Sequence, residues 1–201
     1  LHTDLIHLIT TFIQQPLRLI NTSLPGTIFI YSFGNFLFTL GIHQSVVNSV
    51  VLEPFLLINT NENMLAFANG QPIPHIINNI FVPTFGMVGG TGSTISLLIA
   101  IFIFSRQQSA KQVARLSLAP GLFNINEVLL FGLPIVLNPL MLIPFLLTPV
   151  LLAAISYVAV ATGLVPGTNV ATEWTTPILL NGYLSTGSLS GSALQLANLV
   201  V

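Results

Sequence analysis

Cysteine is absent and charge is nearly so. Without cysteine there is no disulfide framework, no thiolate metal site and no thiol nucleophile. Only 4% of the 201 residues are charged, against roughly 25% in soluble domains, so the chain cannot cover a water-facing surface. No basic patch with interleaved aromatics exists, which excludes nucleic-acid binding. The net charge of −1 rests on too few groups to indicate a partner. No two histidines stand at metal-ligand spacing with a carboxylate, and no serine sits in a nucleophile elbow. The run GGTGST at 89–94 lacks the lysine of a phosphate-binding loop and lies among apolar residues, so it points to close packing and not to a nucleotide.

What is present is apolar: 53% hydrophobic residues and a mean hydropathy of +0.90. This is the composition of an all-α integral membrane protein. Residues 1–20 alternate apolar and polar positions at helical spacing and predict an interfacial helix. Residues 24–42 are long enough to cross a bilayer, since about 20 helical residues span ~30 Å. Residues 45–58, with Glu53-Pro54, predict a half-crossing or broken helix, and the polar 59–75 a loop outside the hydrocarbon. Residues 76–104 exceed one span and are interrupted at Phe85-Gly86 and at 89–94. The segment SRQQSAKQVARLS (105–117) holds three of the four basic residues and predicts a cytoplasmic loop. Residues 140–165 form a span despite Pro144 and Pro149, 166–176 a polar connection, and 177–201 an apolar stretch loosened by glycines. The chain begins at Leu1 and ends at Val201 inside an apolar run, the expectation for a piece of a longer protein.

Between the basic segment and the 140–165 span lies PGLFNINEVLLFGLPIVLNP (120–139), apolar but broken by three prolines and two glycines. It carries Asn124, Asn126 and Glu127. Non-helical backbone at membrane depth survives where protein or a water-filled cavity surrounds it. A carboxylate there costs several kcal/mol without a partner. The pattern predicts a cavity wall, as in transporter sites; the alternative is a solvated cytoplasmic loop. His43, at the end of FLFTLGIHQ, is either a cavity residue or a core histidine satisfied by a carbonyl. Glu53 is a cavity residue or a first-turn carboxylate favoured by a helix dipole. Trp174 offers a face for a sugar ring or a simple interfacial anchor. His75 reads as structural, and His2 and His7 as solvated.

The run LSLAPGLFNINEVLLFGLPIVLNPLMLIPFLLTP (116–149) resembles the signature stretch of a transporter family. That family is the membrane subunit, enzyme IIC, of the lactose/cellobiose/diacetylchitobiose branch of the phosphoenolpyruvate-dependent sugar phosphotransferase system. SLPG (23–26), GIH (41–43), GGTGST (89–94) and EWTTPILLNGYLSTG (173–187) agree in order. The resemblance covers residues 1–201 and is to the C-terminal, substrate-chamber half of a single membrane domain. It implies a transmembrane helix bundle with two re-entrant hairpins around a sugar chamber, 120–139 forming one hairpin. It further implies that His43, Asn126, Glu127 and Trp174 contact the sugar, with Glu127 near the hydroxyl to be phosphorylated. The chain departs from the family pattern at Val128, where proline is usual, and at Gln44, where glycine is usual. The family also often has tryptophan near Phe38.

The implied activity is group translocation in a multi-pass protein of the bacterial plasma membrane, a homodimer in full-length form and embedded in lipid. A β-linked disaccharide of the cellobiose, lactose or diacetylchitobiose class enters and is exposed to the cytoplasm. There a phosphorylated IIB partner transfers phosphoryl to its 6-hydroxyl while Glu127 takes the proton. The chain supplies no phosphoryl donor, and the resemblance implies no cofactor and no metal. It is a transport subunit within a phosphotransferase reaction, with the basic segment 105–117 as a docking surface or a mere topology signal. Two rivals differ in class: a proton-coupled solute carrier using Glu127 and His43, and a truncated relic without function.

Overall fold

The computed structural model describes residue 12 and residues 14–201, so most of the expected helix over 1–20 lies outside the described residues. All regular structure among the described residues is helical. Helix α1 is Gln15–Asn21 and α2 is Leu24–Thr39. Ser23 caps α2 by accepting from the Gly26 amide at 3.2 Å, with Pro25 in the first turn, where its missing N–H costs nothing. A helical run follows in three parts: α3 (Ser45–Val47), a π-helical turn (Asn48–Leu52) and α4 (Glu53–Ala68).

Residues 59–68 are therefore helix, where a loop was expected. Their polar side chains face inward and satisfy the extended segment after them. Asn59 Nδ2 donates to the Ile77 carbonyl at 2.8 Å, and the Asn79 amide donates to Thr60 Oγ1 at 3.0 Å. Asn63 both donates to the His75 carbonyl and accepts from its amide. A second π-helical turn, Val82–Gly86, brings Phe85 into the main core beside Phe81, Leu52, Leu56 and Leu194.

Of the two expected interruptions, the one at 89–94 is real, the chain being non-helical over 87–93, whereas Phe85-Gly86 ends the π-helical turn; α5 (Thr94–Phe104) then follows as an apolar helix. The basic segment is the second correction. It is not a loop from Gln108 onward but α6 (Gln108–Leu122). Its SAKQVARL stretch is made chiefly of good helix formers, and Ala114, Val113 and Ala110 pack on Leu98 and Ile101 of α5. After the turn at 123–126 come α7 (Glu127–Gly132) and α8 (Pro139–Ala161), the latter capped by Asn138. Among the described residues α8 is the one helix long and apolar enough to cross a bilayer unaided. Helix α2 packs along it, but with 16 residues is shorter than the 24–42 expectation. The last stretch splits at Gly187 (φ +66°) into α9 (Leu180–Thr186) and α10 (Leu189–Asn198). These two touch backbone to backbone: a Cβ on Gly191 would lie 2.2 Å from the Gly182 carbonyl oxygen.

Large apolar side chains cover much of the exterior, among them Phe29, Phe33, Phe104, Phe131, Leu140 and Ile143. Such a surface suits lipid and not water.

Candidate functional site

Four irregular segments meet at one place: 40–45 after α2, 87–93 before α5, 123–126 before α7, and 172–176 before α9. Together with the π-helical turn they enclose a cavity of about 580 Å³. A buried polar framework holds them. Asn124 sits in the left-handed region (φ +62°), which asparagine tolerates better than most residues. Its Oδ1 accepts from the Gly89 amide at 2.9 Å, while its Nδ2 donates to the carbonyls of Trp174 at 2.7 Å and Thr176 at 3.2 Å. One side chain thus joins three of the four segments. Asn126 donates to the Thr91 carbonyl and to Thr94 Oγ1, both at 2.7 Å.

This close fit explains the glycines of GGTGST. Gly90 has φ +93°, and a Cβ there would lie 2.6 Å from the Asn124 carbonyl oxygen and 2.7 Å from Asn126 Cγ. A Cβ on Gly92 would enter the Phe145 ring. The run packs against the protein itself, as its composition indicated.

All four residues named from the sequence line this cavity: His43, Asn126, Glu127 and Trp174. His43 lies edge-on to Phe38, with ring centroids 5.0 Å apart. The Ser45 backbone N–H donates to its Nδ1 at 3.3 Å, and Ser45 Oγ lies 2.8 Å from the same nitrogen. Since an amide can only donate, Nδ1 is the acceptor, and the neutral ring carries its proton on Nε2. That nitrogen lies 4.0 Å from Glu127 Oε1, too far for a direct hydrogen bond and close enough for one hydroxyl set beside the two half-exposed side chains to reach both. Glu127 Oε2 has no hydrogen-bond partner among the described residues. Asn126 has committed both amide hydrogens to the framework, so only its carbonyl oxygen is left for a ligand. Trp174 is exposed, held only through its backbone carbonyl, and its ring is free to cover a ligand.

Glu53 unites the two readings offered for it, being in the first turn of α4 and on the cavity wall. Sequence reasoning did not place Glu173, Asn48, Asn79 or Tyr31 here, although all line the cavity. Glu173 precedes a residue already singled out, and Asn48 lies one turn after Gln44. Those spacings were the available signals. Gln44 was noted as a departure from a pattern; its geometry is buried, with Nε2 donating to Thr91 Oγ1 at 2.6 Å.

A second polar cluster stands apart from the cavity. Arg18 of α1 donates to Glu62 at 2.6 Å and to Asn59 Oδ1 at 2.7 Å, and His75 Nε2 donates to the same Glu62 oxygen. The Arg18 hydrogen bond, helped by His75, holds the Glu62 carboxyl below its ordinary range despite partial desolvation. His75 is structural here.

Comparison with known proteins bears on this arrangement. A family model described as "Phosphotransferase system, EIIC" matches residues 3–149. The oligo-β-mannoside-specific EIIC component of Bacillus subtilis (strain 168) is 38% identical over 99% of this chain and 46% of its own length. The cellobiose-specific EIIC component of Geobacillus stearothermophilus is 40% identical over 97% of this chain and 44% of its own length. The crystal structure of the transporter ChbC, the IIC component of the N,N'-diacetylchitobiose-specific system, superposes with a TM-score of 0.94 at 40% identity. That match covers 99% of this chain and 47% of the other. The chain spans about half the length of the curated relatives it matches.

Proposed function

The chain belongs to the phosphotransferase system EIIC family, and from that premise we propose that its cavity receives a β-linked disaccharide and presents it for phosphorylation. The observation that carries the reading is the cavity itself. It is about 580 Å³, within the roughly 300–1,000 Å³ of small-molecule sites, and gathers a carboxylate, an imidazole, amides and an indole face. Relatives specific for oligo-β-mannoside, cellobiose and N,N'-diacetylchitobiose support the substrate class.

In this reading Glu127 and His43 Nε2, 4.0 Å apart, together bind a sugar hydroxyl, Asn126 accepts from another, and Trp174 covers a ring face. The chain is the chamber half of a multi-pass IIC domain in the bacterial plasma membrane, with residues 120–139 as one of its two re-entrant hairpins. The full-length protein is a homodimer. A rigid-body shift carries the chamber toward the cytoplasm. A phosphorylated IIB partner, docking near the basic face of α6, then acts on the bound sugar. The family resemblance gives that partner a phosphocysteine, whose phosphorus–sulfur bond breaks as the sugar 6-oxygen bonds to phosphorus; the cysteine thiolate leaves, and Glu127 accepts the hydroxyl proton.

The test is calorimetric titration of the chain in lipid nanodiscs with cellobiose, lactose and diacetylchitobiose. One of these sugars is expected to bind, and Glu127→Gln to weaken it about a hundredfold, as loss of a charged hydrogen bond implies. Binding of none by the unaltered chain rejects the proposal. Proton-coupled uptake without any phosphorylated partner would replace it with a carrier.

A further inference from the structure

One polar group on the cavity wall is left unexplained by that reading. Gln44 is 8% exposed, and its amide nitrogen is held by Thr91 Oγ1 at 2.6 Å. Its Oε1 is buried and has no partner among the described residues. Native structures rarely leave such an atom without a bond, and the residue that carries it lines the cavity. One helical turn on, Asn48 repeats the pattern. Its Oδ1 is likewise buried and unpartnered, and it lines the same cavity.

Both residues approach α2 where it has no side chain, Asn48 through its amide oxygen and Gln44 through its Cβ and backbone. A Cβ on Gly34 would lie 3.1 Å from Asn48 Oδ1 and 3.3 Å from Gln44 Cβ. Asn48 opens a π-helical turn, a wide turn that recurs at functional sites, and Gln44 precedes the short helix that leads into it. The anchor is shared with the rest of the wall. Thr91 holds Gln44 through its hydroxyl and Asn126 through its carbonyl, so the Gln44 oxygen is fixed relative to Glu127.

We infer that Gln44 is a specificity-determining residue of the sugar cavity, its Oε1 accepting a hydrogen bond from one hydroxyl of the bound disaccharide. The inference rests on the functional reading above and adds a contact to it. A wall with fixed, buried acceptors discriminates by what it leaves unpaired: a ligand lacking the matching donor strands the oxygen. Thr91 sets the direction of the Gln44 amide, so the residue selects for one hydroxyl position and not for polarity in general.

The experiment is titration in nanodiscs with cellobiose and a panel of monodeoxygenated cellobioses, using the unaltered chain, Gln44→Met and Gln44→Asn. Methionine keeps the length and removes the acceptor. Asparagine keeps the polarity and withdraws the oxygen by one methylene, and serves if the methionine variant does not fold. In the unaltered chain one deoxy analogue is expected to bind about tenfold or more weakly than cellobiose. In either variant that difference should vanish, cellobiose falling to the level of the analogue. Persistence of every deoxy penalty unchanged in both variants overturns the inference and leaves the functional reading intact. So does the absence of any penalised analogue. Failure of the unaltered chain to bind any of the three disaccharides overturns both.

Discussion

Two polar clusters lie inside this apolar protein, and they are built on opposite rules. Around Asn59, Asn63, Asn78 and Thr168 the hydrogen bonds close on themselves. Asn63 donates to the carbonyls of His75 and Thr168 and accepts from the His75 amide. Asn78 exchanges bonds with Thr168 and accepts from the amides of Ile80 and Phe81 at 2.9 Å. Around the cavity the amides that hold the framework are equally well bonded, but Gln44 Oε1, Asn48 Oδ1 and Glu127 Oε2 are left open. Residue type does not separate the clusters, since both are rich in asparagine. Saturation does: a closed network fixes a fold, and open acceptors around a cavity wait for donors.

The comparison breaks first at Asn78. Asn78→Ala strands the Thr168 side chain and two amides at a fully buried position, and should cost about 3 kcal/mol of stability. Thermal unfolding in detergent would show it, with sugar affinity of the folded fraction unchanged. A loss of affinity without loss of stability would erase the distinction between the clusters.

Gly90→Ala should cost about 2 kcal/mol, since it adds a clash with the Asn124 carbonyl to an unfavourable φ, and should also weaken sugar binding. Gly163→Ala supplies the contrast. It has φ +76° with nothing within 4 Å, so only backbone strain of about 1 kcal/mol is expected, with affinity unaltered. Equal effects on affinity would show that the 89–94 run does not shape the cavity.

The smallest effect belongs to Glu62. Its folded-state carboxyl titrates below its ordinary value of 4.5. Its contribution is therefore complete above that value and fades as pH falls through the lower, folded one. For an exposed ion pair this is under about 1 kcal/mol. Melting temperatures between pH 3 and 6 in unaltered and Glu62→Gln protein would measure it, the variant lacking that component of the pH dependence.

The membrane composition, the interruption before α5 and the gathering of His43, Asn126, Glu127 and Trp174 could be anticipated from sequence, the last through a resemblance and not through periodicity. Two helices could not. The stretch INTNENMLAF looks like a loop because its asparagines are polar, yet Asn59 and Asn63 point inward to carbonyls 12 to 105 positions away in the chain. The segment holding Arg106, Lys111 and Arg115 looks like a loop because it is charged, yet its small residues Ala110 and Ala114 form a seam against α5. In the first case distant partners decide the structure and local composition carries no trace of them; in the second the good helix formers were visible, and the charges masked them. Gln44 is a related case. Its identity was visible, but the open oxygen depends on Thr91, 47 positions on.

Asn124 has a mechanical consequence. Because one side chain links the backbone at Gly89, Trp174 and Thr176, the turn before α7 has no independent degree of freedom relative to those segments. A displacement of any one of them must either rupture bonds to that amide or drag the others along. The parts of the cavity wall at 87–93, 123–126 and 172–176 thus form a single unit, and handholds set on it keep their mutual distances when it moves.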